Sequence, residues 1–84
     1  MDYRVLIKIY FPIIEKDYEA YIPTNKTVKY VTKLLQKAIT ETYSNNYKIE
    51  ENPILCNKIS GERYELDKLI VDTNIRNGSK LILI

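Results

Sequence analysis

Side chains that could perform chemistry are few in this sequence, and their spacing does not favour catalysis. The chain contains no histidine, which removes the usual general base, the commonest zinc ligand and the partner that a serine or cysteine nucleophile needs. The carboxylates at Glu50-Glu51 and at Glu62, Glu65 and Asp67 are adjacent or lie in loops, without the pattern of a pocket around them. We therefore expect no enzyme activity, no bound metal and no cofactor.

The single cysteine, Cys56, is expected to be unreactive. It falls in an apolar segment, with no basic neighbour or helix start that would activate the thiol. We predict a small buried side chain that faces the core. One cysteine cannot form an intrachain disulfide, which fits a reduced, cytoplasmic setting.

Lysine is the one charged residue type with a regular spacing. Lys29, Lys33 and Lys37 follow one another at intervals of four residues, with Lys26 just before them. In a helix this spacing forms a basic stripe on one face. We interpret the stripe as a solvated face, and the alternative is contact with an acidic partner or a membrane surface.

Length and composition predict one ordered domain over residues 1–84. Apolar residues make up 45% of the chain and charged residues 29%, which is typical of a folded protein. The net charge of +2 is well short of the basic excess of a dedicated nucleic-acid binder, so no nucleic-acid partner is expected. The sequence shows no leader pattern and no apolar run of the ~18 residues that a membrane span needs, so we expect no direct membrane insertion.

The first and last parts of the chain alternate apolar and polar residues with the period of a β-strand. Residues 3–11 and 18–22 show this alternation on either side of a polar break at residues 15–17, and they are predicted to form a hairpin. The final strand is predicted at residues 80–84. It follows Asn77-Gly78, a dipeptide typical of turns with positive φ.

The middle of the chain changes to the period of a helix, predicted from Val28 to Tyr43. Thr27 can accept a hydrogen bond from the first turn, and Asn45 or Asn46 can end the helix. Further on, we predict a strand at residues 54–57 and a short extended piece at residues 63–66. The apolar stripe predicted to pack on the core consists of Val28, Val31, Leu34, Leu35, Ala38 and Ile39.

This order of elements (β-β-α-β-β-β) predicts an α+β fold, in which a mixed four- to five-stranded sheet packs on one helix. That architecture is the β-grasp. Its first and last strands lie parallel at the centre of the sheet, which agrees with the apolar runs at residues 5–7 and 81–83.

The last third of the chain resembles the ubiquitin pattern of an apolar residue, Asp72, Asn74-Ile75, a turn and an alternating final strand. Residues 23–34 also resemble the passage from the second ubiquitin strand into the helix, so the resemblance covers essentially the whole chain. Within this superfamily the chain looks most like the YukD-like proteins of Gram-positive bacteria. The spacing from Ile22-Pro23 to Val28, the loop at residues 74–78 and the end at Ile84 carry that resemblance.

The resemblance implies an accessory, non-enzymatic role in type VII (ESX-type) secretion, through protein contacts on the cytoplasmic side. The alternative is a ubiquitin-like adaptor of a mobile element or another bacterial system, with an unrelated protein partner or, less favoured, a nucleic acid. Ubiquitin-type modifiers end in a Gly-Gly tail that this sequence lacks, so we expect neither conjugation nor sulfur transfer unless processing or extension adds one. β-Grasp ferredoxins need four cysteines and are excluded.

Strand alternation predicts which side chains turn away from the helix. The residues predicted to face the helix are Val5, Ile7, Ile9, Ile54, Cys56, Leu81 and Leu83. Those predicted to lie on the open face of the sheet, as a protein-binding surface, are Leu6, Lys8, Tyr10, Tyr21, Leu55 and Ile82.

The resemblance implies that Leu55, Ile82 and the loop containing Phe11 and Ile13 correspond to the recognition patch of the family. Three alternatives stay open. The open-face residues can be ordinary cross-strand packing, Phe11 and Ile13 can cap the core, and exposed Leu6, Leu55 and Ile82 can form a two-fold contact in a homodimer.

Overall fold

One helix lies across a four-stranded sheet in this computed structural model, which describes residues 3–42 and 52–84. The sheet has the order β2-β1-β4-β3. The elements are β1 Arg4–Phe11, β2 Lys16–Pro23, α1 Val28–Thr42, β3 Leu55–Asn57, a 3₁₀ turn Ile70–Asp72 and β4 Lys80–Leu83.

The sheet is mixed, as the order of elements predicts. β1 pairs antiparallel with β2 and parallel with β4, and β4 pairs antiparallel with β3. The predicted extended piece at residues 63–66 contributes one isolated bridge, between Cys56 and Arg63, and adds no fifth strand. The β-grasp prediction is confirmed.

The core fills the space between α1 and one face of the sheet. Burying these apolar side chains is the main source of stability in a domain without a disulfide. The buried cluster consists of Ile7, Ile9, Phe11, Ile22, Val28, Val31, Leu35, Ile39, Leu55, Tyr64, Ile70, Ile75, Leu81 and Leu83.

The hairpin turn lies earlier than the polar break predicted. Phe11 pairs with Lys16, so residues 12–15 form the turn and Lys16 and Asp17 belong to β2. The Ile14 N–H donates to the Phe11 carbonyl (3.2 Å), and Glu15 adopts a φ of 53°. Loops of four residues are commonly built around such a turn, and Pro12 suits its first half.

The start of α1 agrees with the sequence. The Tyr30 N–H donates to Oγ1 of Thr27 (3.1 Å), which confirms Thr27 as the N-cap. The structure describes the helix as far as Thr42. The predicted end at Tyr43, with Asn45 or Asn46 as the cap, lies outside the described residues.

The buried stripe of α1 differs from the predicted one by two residues lost and two gained. Leu34 and Ala38 are exposed, whereas Thr32 and Gln36 are buried in the positions expected for apolar residues. The Thr32 hydroxyl donates to the Lys29 carbonyl (2.8 Å), so burying it leaves no unpaired donor. The helix is therefore rotated relative to the apolar pattern, and a leucine is left on its outer face.

The turn before β4 docks on β1. Gly78 has a φ of 87°, which confirms the predicted positive-φ turn. The Leu6 N–H donates to Oδ1 of Asn77 (2.8 Å), and the Gly78 N–H donates to the Leu6 carbonyl (2.8 Å). These bonds continue the contact of β1 with the segment that precedes the first residue of β4.

Tyr64 anchors the long loop between β3 and β4. Its hydroxyl donates to Oδ1 of Asn74 (2.7 Å) and accepts from Nδ2 of Asn57 (3.2 Å). Asn74 in turn donates to Glu62 (3.1 Å). Burial, reinforced by the charge of Glu62, raises the pKa of Tyr64 above its ordinary value of 10.0, although the hydrogen bond from Asn57 opposes the shift.

A Tyr64→Phe variant should reveal this shift in the pH dependence of stability. Because the folded-state pKa is raised, unfolded Tyr64 loses its proton first, and the stabilisation present below pH 10.0 is lost as the pH rises. At neutral pH we expect Tyr64→Phe to be about 1–2 kcal/mol less stable, since Asn74 loses its donor.

The difference in unfolding free energy between wild type and Tyr64→Phe should shrink as the pH rises above 10.0. Urea unfolding of both proteins over this pH range measures the difference. The other tyrosines and the lysines titrate in both chains, so their contributions cancel when the two are compared. A difference that stays constant with pH would contradict the shift.

Candidate protein-binding surface on the open sheet face

Two rows of side chains are brought together on the face of the sheet that α1 does not cover. Residues paired across neighbouring strands share a face. Tyr10 pairs with Asp17 on one side and with Ile82 on the other, and Ile82 pairs with Cys56. Lys8 likewise lies between Glu19 and Lys80.

A third row contains Leu6 and its partner Tyr21. We call these three rows the open sheet face. Leu6, Tyr10 and Ile82 are half-buried there, and Tyr21 is exposed. The open sheet face consists of Leu6, Lys8, Tyr10, Asp17, Glu19, Tyr21, Cys56, Lys80 and Ile82.

Five of the six residues predicted for this face lie on it, and Leu55 does not. Leu55 is fully buried in the core beneath α1, and it pairs with the inward-facing Leu83. Cys56 is buried as predicted, but on the opposite face to the one predicted. Ile54, predicted to face the helix, precedes the strand and is not part of the buried cluster.

The hairpin loop is divided between core and solvent. Phe11 is buried, and its ring meets that of Tyr18 edge to face at 5.9 Å, so it belongs to the core rather than to a contact surface. Ile13 is 60% exposed at the tip of the loop. Of these two residues, only Ile13 is accessible to a partner, and its role as a contact residue stays a prediction.

The two tyrosine rings of the open sheet face each make a cation–π contact. The Arg4 guanidinium lies 5.2 Å from the centre of the Tyr21 ring, and Nζ of Lys58 lies 4.8 Å from that of Tyr10. Lys58 also pairs with the Asp17 carboxylate at 3.6 Å. Such contacts restrict the rings before any partner arrives.

Lys58 borders this surface, and the sequence prediction did not include it; nor did it include Asp17, Glu19 and Lys80, which lie on the face. Lys58 follows β3, and its N–H donates to the Lys80 carbonyl (2.8 Å), which brings it beside β4. The sequence carries no signal for this position, because three consecutive apolar residues at 54–56 leave the phase of the strand undecided.

A shallow depression of about 420 Å³ crosses the charged row. It combines three lysines with two carboxylates, an arrangement that suits polar contacts with a peptide or protein surface. Its lining residues are Lys8, Asp17, Tyr18, Glu19, Lys58 and Lys80. Within residues 3–42 and 52–84, no group of His, Cys, Asp or Glu side chains is placed to hold a metal ion.

The predicted basic residues Lys29, Lys33 and Lys37 are all exposed on α1, on the side away from the sheet. They lie far from the open sheet face, because the helix packs on the opposite face of the sheet. Tyr30 and Leu34 are exposed among them. Among the described residues, no helix is both long and apolar enough to cross a membrane.

Comparisons with known proteins find similarity in structure alone. No protein-family model matches this chain, and no curated protein matches it. The ubiquitin-like domain of the type VII secretion protein EccD1 from Mycobacterium tuberculosis superimposes with a TM-score of 0.74 at 12% identity, covering 100% of this chain and 99% of that chain. The EccD5 ubiquitin-like domain from Mycobacterium xenopi gives 0.77 at 11% identity, covering 96% and 92%.

The same fold occurs in an enzyme complex. A chain from a toluene 4-monooxygenase complex superimposes with a TM-score of 0.71 at 10% identity, covering 95% of each chain. At these identities the matches show the fold and do not show a shared function. The chain thus has the ubiquitin-like β-grasp fold, and its structural neighbours include type VII secretion domains.

Proposed function

We propose that this ubiquitin-like domain is a non-enzymatic protein-binding module, and that it serves as an accessory component of a bacterial type VII secretion system on the cytoplasmic side. The observation that carries the proposal is the open sheet face. Its apolar and aromatic side chains lie on the side of the sheet opposite α1.

The composition of this face supports binding to protein. The solvent side of a sheet is usually polar, because its other side supplies the core. Here Leu6, Tyr10, Tyr21 and Ile82 occupy positions on that side of the sheet. Tyrosine is enriched where proteins bind one another, because its ring buries a large area and its hydroxyl keeps a hydrogen bond.

The charged groups around the apolar residues support the same proposal. Arg4 and Lys58 flank the two tyrosines, and Asp17 balances Lys58. The charged row lies between the two rows that carry the apolar and aromatic residues. Protein interfaces combine apolar, aromatic and charged side chains in this way. A catalytic role would need a nucleophile beside a base, and the chain has no histidine to serve as that base.

The link to type VII secretion is supported by the structural neighbours EccD1 and EccD5. A YukD-like accessory role is the finer part of the proposal. The match to a monooxygenase complex means that the fold alone does not select this pathway. The partner must therefore be identified by binding.

The test compares two double variants of identical composition. Leu6→Asn with Tyr21→Asn alters the open sheet face, and Leu34→Asn with Tyr30→Asn alters the outer side of α1. Wild type and both variants capture proteins from a lysate of the source bacterium, and mass spectrometry identifies them. Circular dichroism checks that all three chains fold.

We expect type VII components to bind the wild type and the helix variant, and to bind the open-face variant at least about 30-fold more weakly, as for loss of interface hot spots. Capture of type VII components by all three chains would overturn the assignment of the face. If the wild-type chain captures only proteins that are not type VII components, the link to secretion would be overturned.

A further inference from the structure

We propose that the outer face of α1 is a second docking surface, and that its partner is an acidic protein segment with an apolar anchor residue. This surface is independent of the open sheet face, because the sheet and the core separate the two. We call it the outer helix face, and it consists of Lys26, Lys29, Tyr30, Lys33, Leu34 and Lys37.

The spacing of these residues places them together on one side of the helix. Tyr30 and Leu34 are one turn apart, and so are Lys29, Lys33 and Lys37. The opposite side of α1 carries Val28, Val31, Leu35 and Ile39 into the core. The outer helix face is therefore held in place by packing that a partner would not disturb.

Positive charge is concentrated here beyond what the chain as a whole carries. The four lysines exceed the net charge of +2, so the rest of the chain is net negative. Among the described residues, no carboxylate lies within ion-pairing distance of any of them. Glu41, one turn beyond Lys37, is the acidic residue of α1 on this side.

This array works against the helix that carries it. Like charges four residues apart repel and destabilise a helix. Carboxylates supplied by a partner would remove that repulsion and add attraction, so the complementary ligand is an acidic one.

A shallow apolar depression borders the lysine array. Tyr30 is 48% exposed and Leu34 is 43% exposed, and with the stems of Lys33 and Lys37 they line a depression of about 270 Å³. Nζ of Lys26 lies 5.3 Å from the centre of the Tyr30 ring, which keeps that ring beside the depression. Because this depression is shallow and open to solvent, an apolar side chain of a partner can pack against it.

The combination of depression and charge favours a protein segment over a lipid surface. Binding in a membrane interface needs an apolar face that projects into the acyl chains. Two half-exposed residues that line a depression between lysines do not project in this way. An acidic segment with one leucine or phenylalanine satisfies both the lysines and the depression.

The probe for this proposal is a synthetic helical peptide of about 15 residues, with one central leucine flanked by glutamates. A control peptide carries glutamine in place of every glutamate. The full chain is titrated with each peptide, fluorescence anisotropy measures affinity, and amide chemical shifts locate the binding site.

Two variants separate the charge from the depression. Lys33→Gln with Lys37→Gln removes charge, and Leu34→Asn with Tyr30→Asn removes the apolar lining. We expect each double variant to bind the acidic peptide about tenfold more weakly than wild type does. Added salt should also lower the affinity of the wild-type chain for this peptide. Leu6→Asn with Tyr21→Asn, on the open sheet face, should bind the peptide like wild type, which separates this proposal from the proposed function.

Several results would overturn the proposal. They are chemical shifts that change away from residues 26–37, equal binding of the glutamate and glutamine peptides, and binding unaffected by Leu34→Asn with Tyr30→Asn. Vesicles of phosphatidylcholine and phosphatidylserine in equal amounts are the competing ligand. Binding to them with no binding to the acidic peptide would assign the outer helix face to a membrane surface instead.

Discussion

Shortening Leu55 to alanine should lower the free energy of unfolding by about 2–5 kcal/mol, the range for deleting a buried leucine side chain. Leu55 is completely buried and pairs with Leu83 beneath α1. A domain of this size has a total stability of about 4–13 kcal/mol, so the loss is a large part of it. Urea unfolding followed by circular dichroism measures the change.

Cys56→Ala is the matched control, because it alters the next residue on the same strand. Cys56 lies on the other face, opposite Ile82, and replacing it removes a single sulfur atom. We expect a loss of about 1 kcal/mol, typical of small substitutions. If Cys56→Ala cost more than Leu55→Ala, the register of β3 against β4 would be wrong.

The error over Leu55 has a physical cause in the sequence. Ile54, Leu55 and Cys56 are all apolar, so alternation cannot tell which of them faces the core. In the structure the phase is set by pairing with β4, a contact between residues far apart in the chain. β1 alternates over eight residues, which is why the faces of Leu6, Lys8 and Tyr10 could be predicted.

The helix shows the same limit. Its apolar period predicts the element, its start at Thr27 and four of the buried positions. It does not predict the rotation that buries Thr32 and exposes Leu34, because that rotation depends on packing against the sheet. A polar residue can be buried when a bond within its own helix satisfies it.

The candidate surfaces depend most on contacts between segments that are far apart in the sequence, which the sequence could not predict. Lys58 reaches Tyr10 and Asp17 only through the pairing of β3 with β4, and Tyr64 meets Asn74 only through the fold of the long loop. These contacts join separate segments, so composition and period carry no signal for them. The finding that Leu55 lies in the core also decides which variants can test binding. A charged residue at this position would unfold the domain, and the unfolding would imitate a loss of binding.

The second large effect on stability is expected at Phe11, the last residue of β1 before the hairpin turn. Phe11→Ala should lower the free energy of unfolding by about 3–5 kcal/mol, because it removes a buried ring and leaves a cavity. The Phe11 ring packs in the core and meets the edge of Tyr18 at 5.9 Å. Thermal and urea unfolding measure the loss, and a shift of the thermal midpoint well below that of wild type is expected.

Ile13→Ala is the control two residues away. Ile13 is 60% exposed at the tip of the turn, so its replacement should change stability by less than about 0.5 kcal/mol. Equal losses at the two positions would contradict the division of the loop between core and solvent. Because Phe11 supports the fold, a loss of binding in Phe11→Ala would not identify a contact, and only Ile13 can test whether this loop extends the open sheet face.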